Sequence, residues 1–219
     1  MNPAHAACLA LALAQPAAGG AWLEDPGKGF AAASATYRTS RGGAAHELGY
    51  YAAYGAAPKL TLGVDLNRNA DVSGHALIFA RLPLRQGSRS RLAVETGIGG
   101  NHYRGYWQMM QKTTLSYGRS LETRHGSGWL AIGAAYELRN GGLDAIWKLD
   151  ATLGLHRPGK AAPMLQIETA RPESGRLSYA LTPVMRYPMK DGRELLLGLE
   201  YRKAGRDSLG LKLSLWQKF

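Results

Sequence analysis

Five histidines follow the N-terminal segment, His46, His75, His102, His125 and His156, and none stands in a motif that puts an imidazole to catalytic work. A lipid-acting hydrolase needs a serine beside a histidine that a third polar group steadies. The nearest approach is His125-Gly126-Ser127-Gly128. Gly-Ser-Gly after a charged run is turn chemistry, so the sequence assigns no catalytic residue. HExxH pairs, Walker loops and dinucleotide fingerprints are absent, and Gly97, Gly99 and Gly100 cluster without opening a helix that would cradle a phosphate. Cys8 is the single cysteine, which rules out a Cys-based zinc site and a disulfide framework. No cofactor is expected.

Charge is the chemistry that remains. Arg38, Arg81, Arg91, Lys112, Lys148, Arg186, Arg202 and Lys212, with Arg139, fall on the same alternating positions as Asp65, Glu95, Glu137, Asp150, Glu168 and Glu200, with Glu47. Groups lining a common bore in this way set a transverse field and sort ions by sign. Their other use is to neutralise one another and fill space.

Side chains two residues apart share a face only on a β-strand, so strands must position these charges. In the last segment Leu209, Leu211, Leu213, Leu215 and Phe219 lie on one face and Gly210, Lys212, Ser214 and Lys218 on the other; Trp216 and Gln217 break the alternation. Leu195, Leu197, Leu199 and Tyr201 repeat the scheme against Glu194, Gly198, Glu200 and Arg202, with Leu196 as the exception. About twelve such segments can be marked, near 29–40, 45–54, 59–68, 74–84, 90–99, 110–121, 127–138, 145–156, 163–171, 176–187, 193–202 and 208–219. Connectors such as Arg139-Asn140-Gly141-Gly142 and Lys190-Asp191-Gly192 carry hairpin chemistry, and no helical stripe supplies a parallel crossover. The longest connector read as an outer loop is Gly99 to Gln108. The expectation is an all-β, up-and-down antiparallel barrel over residues 22–219.

Three features turn its greasy face outward to lipid. Segment lengths match the roughly 9–11 tilted residues that cross a bilayer. Aromatics gather near segment ends, at Tyr37, Tyr54, Trp129, Trp147, Tyr187, Tyr201 and Phe219, as in an interfacial girdle. The opposite face carries charges of both signs, as a lumen does, and closure removes the sheet edges that hydrocarbon forbids. Residues 1–21 read as an export signal, with an apolar run from Leu9 to Ala14 and small residues that allow a cut after Gly19, Gly20 or Ala21.

The chain has 219 residues, 23.6 kDa and a formal charge of +11. Gln15-Pro16 breaks its N-terminal run rich in Ala and Leu before it reaches the roughly 20 apolar residues a spanning helix needs. The basic surplus is spread among carboxylates along the whole chain and follows an export signal, which argues against a nucleic-acid partner.

With its export signal, even-numbered meander and final strand LGLKLSLWQKF, the chain resembles Gram-negative outer-membrane β-barrel proteins of the porin-like type. That resemblance implies an outer-membrane location and contact with lipid and lipopolysaccharide. It also implies that Phe219, Leu215, Leu213 and Leu211 form the signal read by the barrel-assembly machinery. Size points to the small monomeric channels, hence to passive passage of small polar solutes, anions preferred. The hairpin YAAYGAAPKLTLGVDL is similar to one in transporter-like barrels linked to aromatic-compound degradation. Other roles compatible with such a barrel are a non-conducting structural or assembly part and a lipid acylhydrolase.

Overall fold

The computed structural model describes residues 20–40, 43–70, 72–124, 126–141 and 143–219. Most of the expected export signal, and His125, lie outside them. Twelve strands follow: β1 Gly29–Ser40, β2 Gly43–Ala57, β3 Leu60–Asn69, β4 Ser73–Gln86, β5 Ser90–Tyr103, β6 Tyr106–Thr123, β7 Gly126–Arg139, β8 Ile146–Leu155, β9 Ala162–Pro172, β10 Ser178–Pro188, β11 Arg193–Ala204 and β12 Arg206–Lys218. Each pairs antiparallel with the next, and β12 returns to β1, so the sheet is a closed barrel without an edge.

Gly29, the first residue of β1, and Phe219 lie at one end, called here the terminal end; the opposite end is the far end. The seam between first and last strands is sealed by the final residue. Gly29 N donates to Phe219 O at 2.7 Å and Phe219 N to Gly29 O at 3.0 Å. The Phe219 ring lies over Gly29, where a Cβ would push the ring aside.

One connector is shorter than its sequence suggests. Asn101 pairs with Gln108 and His102 with Trp107, which continues the β5–β6 ladder and leaves only Arg104 and Gly105 as the turn. Both adopt positive φ, 48° and 92°. The polar, aromatic composition that suggested a loop belongs instead to strand ends at the barrel rim.

Leu197, Leu199, Leu209, Leu211, Leu213 and Leu215 all point away from the barrel axis and are exposed, as are Ile78, Leu82 and Leu149. A contiguous apolar wall of this kind requires hydrocarbon around it. Tyr37, Tyr54, Trp147, Tyr187 and Phe219 are exposed near strand ends, as a girdle requires. Trp129 is a correction to that girdle: only 4% exposed, it points into the barrel, because its register partner Gly154 offers the flat inner surface its indole covers. Replacing Leu211 by Arg, near the middle of β12, is expected to cost about 2–4 kcal/mol in lipid. Urea titration of refolding into vesicles measures this, and a loss equal to that of Lys212→Arg on the inner face would refute the assignment of faces.

Candidate pore and its constriction

The inner face is formed by alternate residues whose small neighbours leave space across the barrel. All fourteen sequence-assigned charges, Arg38, Asp65, Arg81, Arg91, Glu95, Lys112, Glu137, Lys148, Asp150, Glu168, Arg186, Glu200, Arg202 and Lys212, occupy inward positions of the register. The structure brings most of them together. Arg38 reaches Glu47 at 2.6 Å and also bonds Glu200 through Nε, while Arg202 Nε contacts Glu200 at 3.1 Å. Arg202 and Lys212 meet Glu168 at 3.4 and 3.0 Å. On the other side of the bore Lys112 pairs with Asp65 at 2.8 Å, to which His75 comes within 3.2 Å. Arg139 and Lys148 share Glu137 at 2.5 and 2.7 Å. Asp150 accepts a bond from Thr169 N at 3.0 Å.

These groups surround a cavity of about 470 Å³ in the barrel's middle and far part, lined by Glu47, Asp65, Lys112, Lys148, Asp150, Glu168, Arg202 and Lys212 among others. A second cavity of about 510 Å³ shares Glu47, Asn67, His75, Lys148 and Ala170 with it and carries the space on to the far rim. The far half thus holds two adjoining cavities with shared lining residues, together called the vestibule.

The terminal half is different. Phe30, Trp129, Met164, Val184, Leu196 and Trp216 form a buried cluster inside the barrel, with Trp22, Ala32, Tyr51 and Ala131 packed against it. Strands β1 and β7 stand on opposite sides of a twelve-stranded ring, so a cluster holding both Phe30 and Trp129 spans the bore. The Arg186 guanidinium sits over the rings of Trp129 and Trp216, 4.5 and 5.8 Å from their centroids. It contacts Glu194 at 3.6 Å. Trp216 borders the vestibule on one side and, on the other, a crevice of about 210 Å³ at the terminal end, which Phe30, His156, Arg186, Glu194 and Lys218 also line. Trp216 and Arg186 thus divide the two spaces. The sequence reading missed this floor, although it left a mark: Leu196 and Trp216, which break the alternation, are the apolar residues turned inward.

Residues 20–28 cross the terminal mouth as a strap. Ala21 is fully buried, Glu24 N donates to Thr61 Oγ1 at 3.0 Å, and Gly27 N and Gly55 N exchange bonds with Gly55 O and Lys28 O at 2.9 Å. Arg81, 2% exposed, donates to Trp22 O at 3.0 Å and Glu95 at 2.6 Å and also bonds the Tyr51 hydroxyl. Burial pushes the Glu24 carboxyl above its ordinary pKa, against the lowering pull of Arg81 and Lys218. Burial, reinforced by Arg186, holds the His156 imidazole below its usual value.

Inside the barrel, with inward-facing Arg91 and Lys218 set aside because they stand at the terminal rim, Arg38, Arg81, Lys112, Arg139, Lys148, Arg186, Arg202 and Lys212 face an equal number of carboxylates, Glu47, Asp65, Glu95, Glu137, Asp150, Glu168, Glu194 and Glu200. The basic surplus consequently lies at the ends. Most of it crowds the terminal end, where Lys28, Lys59, Arg85, Arg89, Arg91, Arg119, Arg124, Arg157, Lys160, Lys190, Arg193 and Lys218 outnumber Glu24, Asp25, Glu122 and Asp191.

His75 shares Asp65 with Lys112, and His102 accepts a bond from Gly105 N at 2.9 Å beside the Trp107 ring. Among the described residues no group of acids, histidines or cysteines is arranged to hold a metal ion.

No protein-family profile matches the sequence. No curated protein matches it either. Solved structures do resemble it. A KdgM porin superposes with a TM-score of 0.61 at 9% identity, over 86% of this chain and 99% of that one. A further structure of that porin is described in complex with disordered oligogalacturonate. An outer membrane channel from Pseudomonas putida F1 gives a TM-score of 0.59 at 11% identity, over 94% of this chain and all of the other. The NanC porin gives 0.58 at 10% identity, over 84% and 98%. Identities this low speak for architecture alone. The chain has the fold of the outer-membrane porins, a closed antiparallel barrel of twelve strands, and its apolar outer wall suits it to that membrane.

Proposed function

We propose that the protein is a passive outer-membrane channel for small polar solutes, with anions preferred. The observation that carries this reading is the pairing of an apolar outer wall with an ion-lined vestibule that opens at the far rim. A barrel built only as a scaffold has no use for a cavity of that size lined by hydrated charges. The far end faces outward, as both termini of an even-stranded barrel lie on the periplasmic side. Final-strand residues Leu211, Leu213, Leu215 and Phe219 serve as the signal for the assembly machinery, and the basic ends meet lipid phosphates.

Anion preference has its source at the ends of the bore, because charges inside are matched in number. The oligogalacturonate described with a KdgM porin is itself an anion, which supports this class of solute. Planar-bilayer recording in a salt gradient tests the reading. A reversal potential of anion-selective sign is expected. Arg91→Glu at the terminal rim should weaken that selectivity, whereas the paired change Lys212→Gln with Glu168→Gln should leave it nearly unaltered. Silence from well-inserted protein whose terminal mouth has been cleared would defeat the channel assignment; a selectivity that follows only the interior pair would defeat the rim assignment.

A further inference from the structure

We propose that residues 20–28 are a built-in plug, a strap that closes the terminal mouth beside the Trp216 constriction and must move aside for solute to cross. This rests on the channel reading and adds how that channel is kept shut. Four strands receive the strap at separate points. Thr61 of β3 accepts from Glu24 N, Gly55 of β2 exchanges backbone bonds with Gly27 and Lys28, and Pro26 forms a parallel bridge to Gly55. Arg81 of β4 donates to Trp22 O at 3.0 Å. The Trp22 indole lies on Gly118 of β6, where any Cβ would run into its ring, and a Cβ on Gly55 would run into the Asp25 carbonyl.

Receptor and strap are therefore fitted to each other: two glycines on different strands leave room for chain that is not part of the sheet. Arg81 is the main polar anchor, holding one strap carbonyl while Glu95 and Tyr51 fix its remaining donors. The contacts are few enough to be reversible. They amount to a short row of hydrogen bonds and one indole, and each bond is worth only about 0.5–1.5 kcal/mol net. An export cut after Gly19, Gly20 or Ala21 leaves Trp22 to Lys28 on the mature chain, and these residues make the strap's contacts named above.

The test uses a thiol reporter on the inner wall. Ser116 of β6 is 5% exposed and points inward, next along its face to Gly118 and the strap's indole. In Ser116→Cys protein the labelling rate with a small charged maleimide is compared for the full strap, for Trp22→Ala and for a chain lacking residues 20–27. A several-fold faster rate in both altered chains is expected. Equal rates in folded protein, as judged by heat-dependent gel migration, would overturn the plug. A second arm avoids deletion: added to Ser116→Cys, Glu24→Cys with Thr61→Cys tethers the strap by a disulfide, and labelling counted at position 116 alone, by peptide mass, should be slower oxidised than reduced. No difference between the two redox states counts against the plug. Currents recorded in parallel keep the two ideas apart. Faster labelling with larger currents supports both, and faster labelling without current supports the plug while rejecting conduction. Unchanged labelling with steady current rejects the plug and retains the channel.

Discussion

Alanine in place of Glu200 is expected to lower the barrel's stability by about 3 kcal/mol, the low end of what breaking a buried ion pair costs. Its side chain is only 1% exposed and receives Arg38 and Arg202. Removing it leaves two guanidinium groups, on the strands that flank β12, sharing what remains of Glu47 and Glu168. The loss stays below the maximum because Arg202 is 27% exposed to the vestibule and water can take up part of its charge. Glu168, at 37% exposure, provides the contrast: its alanine variant should lose less than about 1 kcal/mol, as solvated pairs do. Urea-dependent unfolding from lipid vesicles measures both. Similar losses for the two variants would mean that burial does not rank these pairs.

Trp216→Ala should have the largest effect on conduction. The indole separates the vestibule from the terminal crevice and forms one of the two faces that hold the Arg186 guanidinium. Without it the two spaces join and Arg186 gains room to move, so single-channel conductance should rise several-fold. Leu196 and Phe30 lose a packing partner, and an aromatic-to-alanine change in such a cluster costs about 3–5 kcal/mol. A parallel Trp147→Ala, on the exposed outer wall, should leave the current unchanged. If Trp216→Ala conducts no better than the parent, the route runs elsewhere, and the strap side of the mouth becomes the path to test.

The alternation of Leu209, Leu211, Leu213 and Leu215 with Gly210, Lys212 and Ser214 set the strand type there, and counting similar segments separated by turn residues gave about twelve strands. Period two is a local property of the pleat: once one residue faces lipid, the next faces the bore. Which inner residues meet is not local. Glu200 finds Arg38 across 162 positions of sequence only because β12 closes on β1, and Lys112 finds Asp65 across 47 because the bore is narrow enough for a side chain to reach over intervening strands.

By itself the sequence determined a twelve-stranded, lipid-facing meander with charges of both signs on its hidden side, since alternation and turn chemistry are written residue by residue. Tertiary structure alone decided that those charges cancel in pairs, that Trp129 joins the interior floor, and that residues 20–28 fold back across the mouth. Each of these depends on distances between strands remote in sequence, and ring closure is what sets those distances.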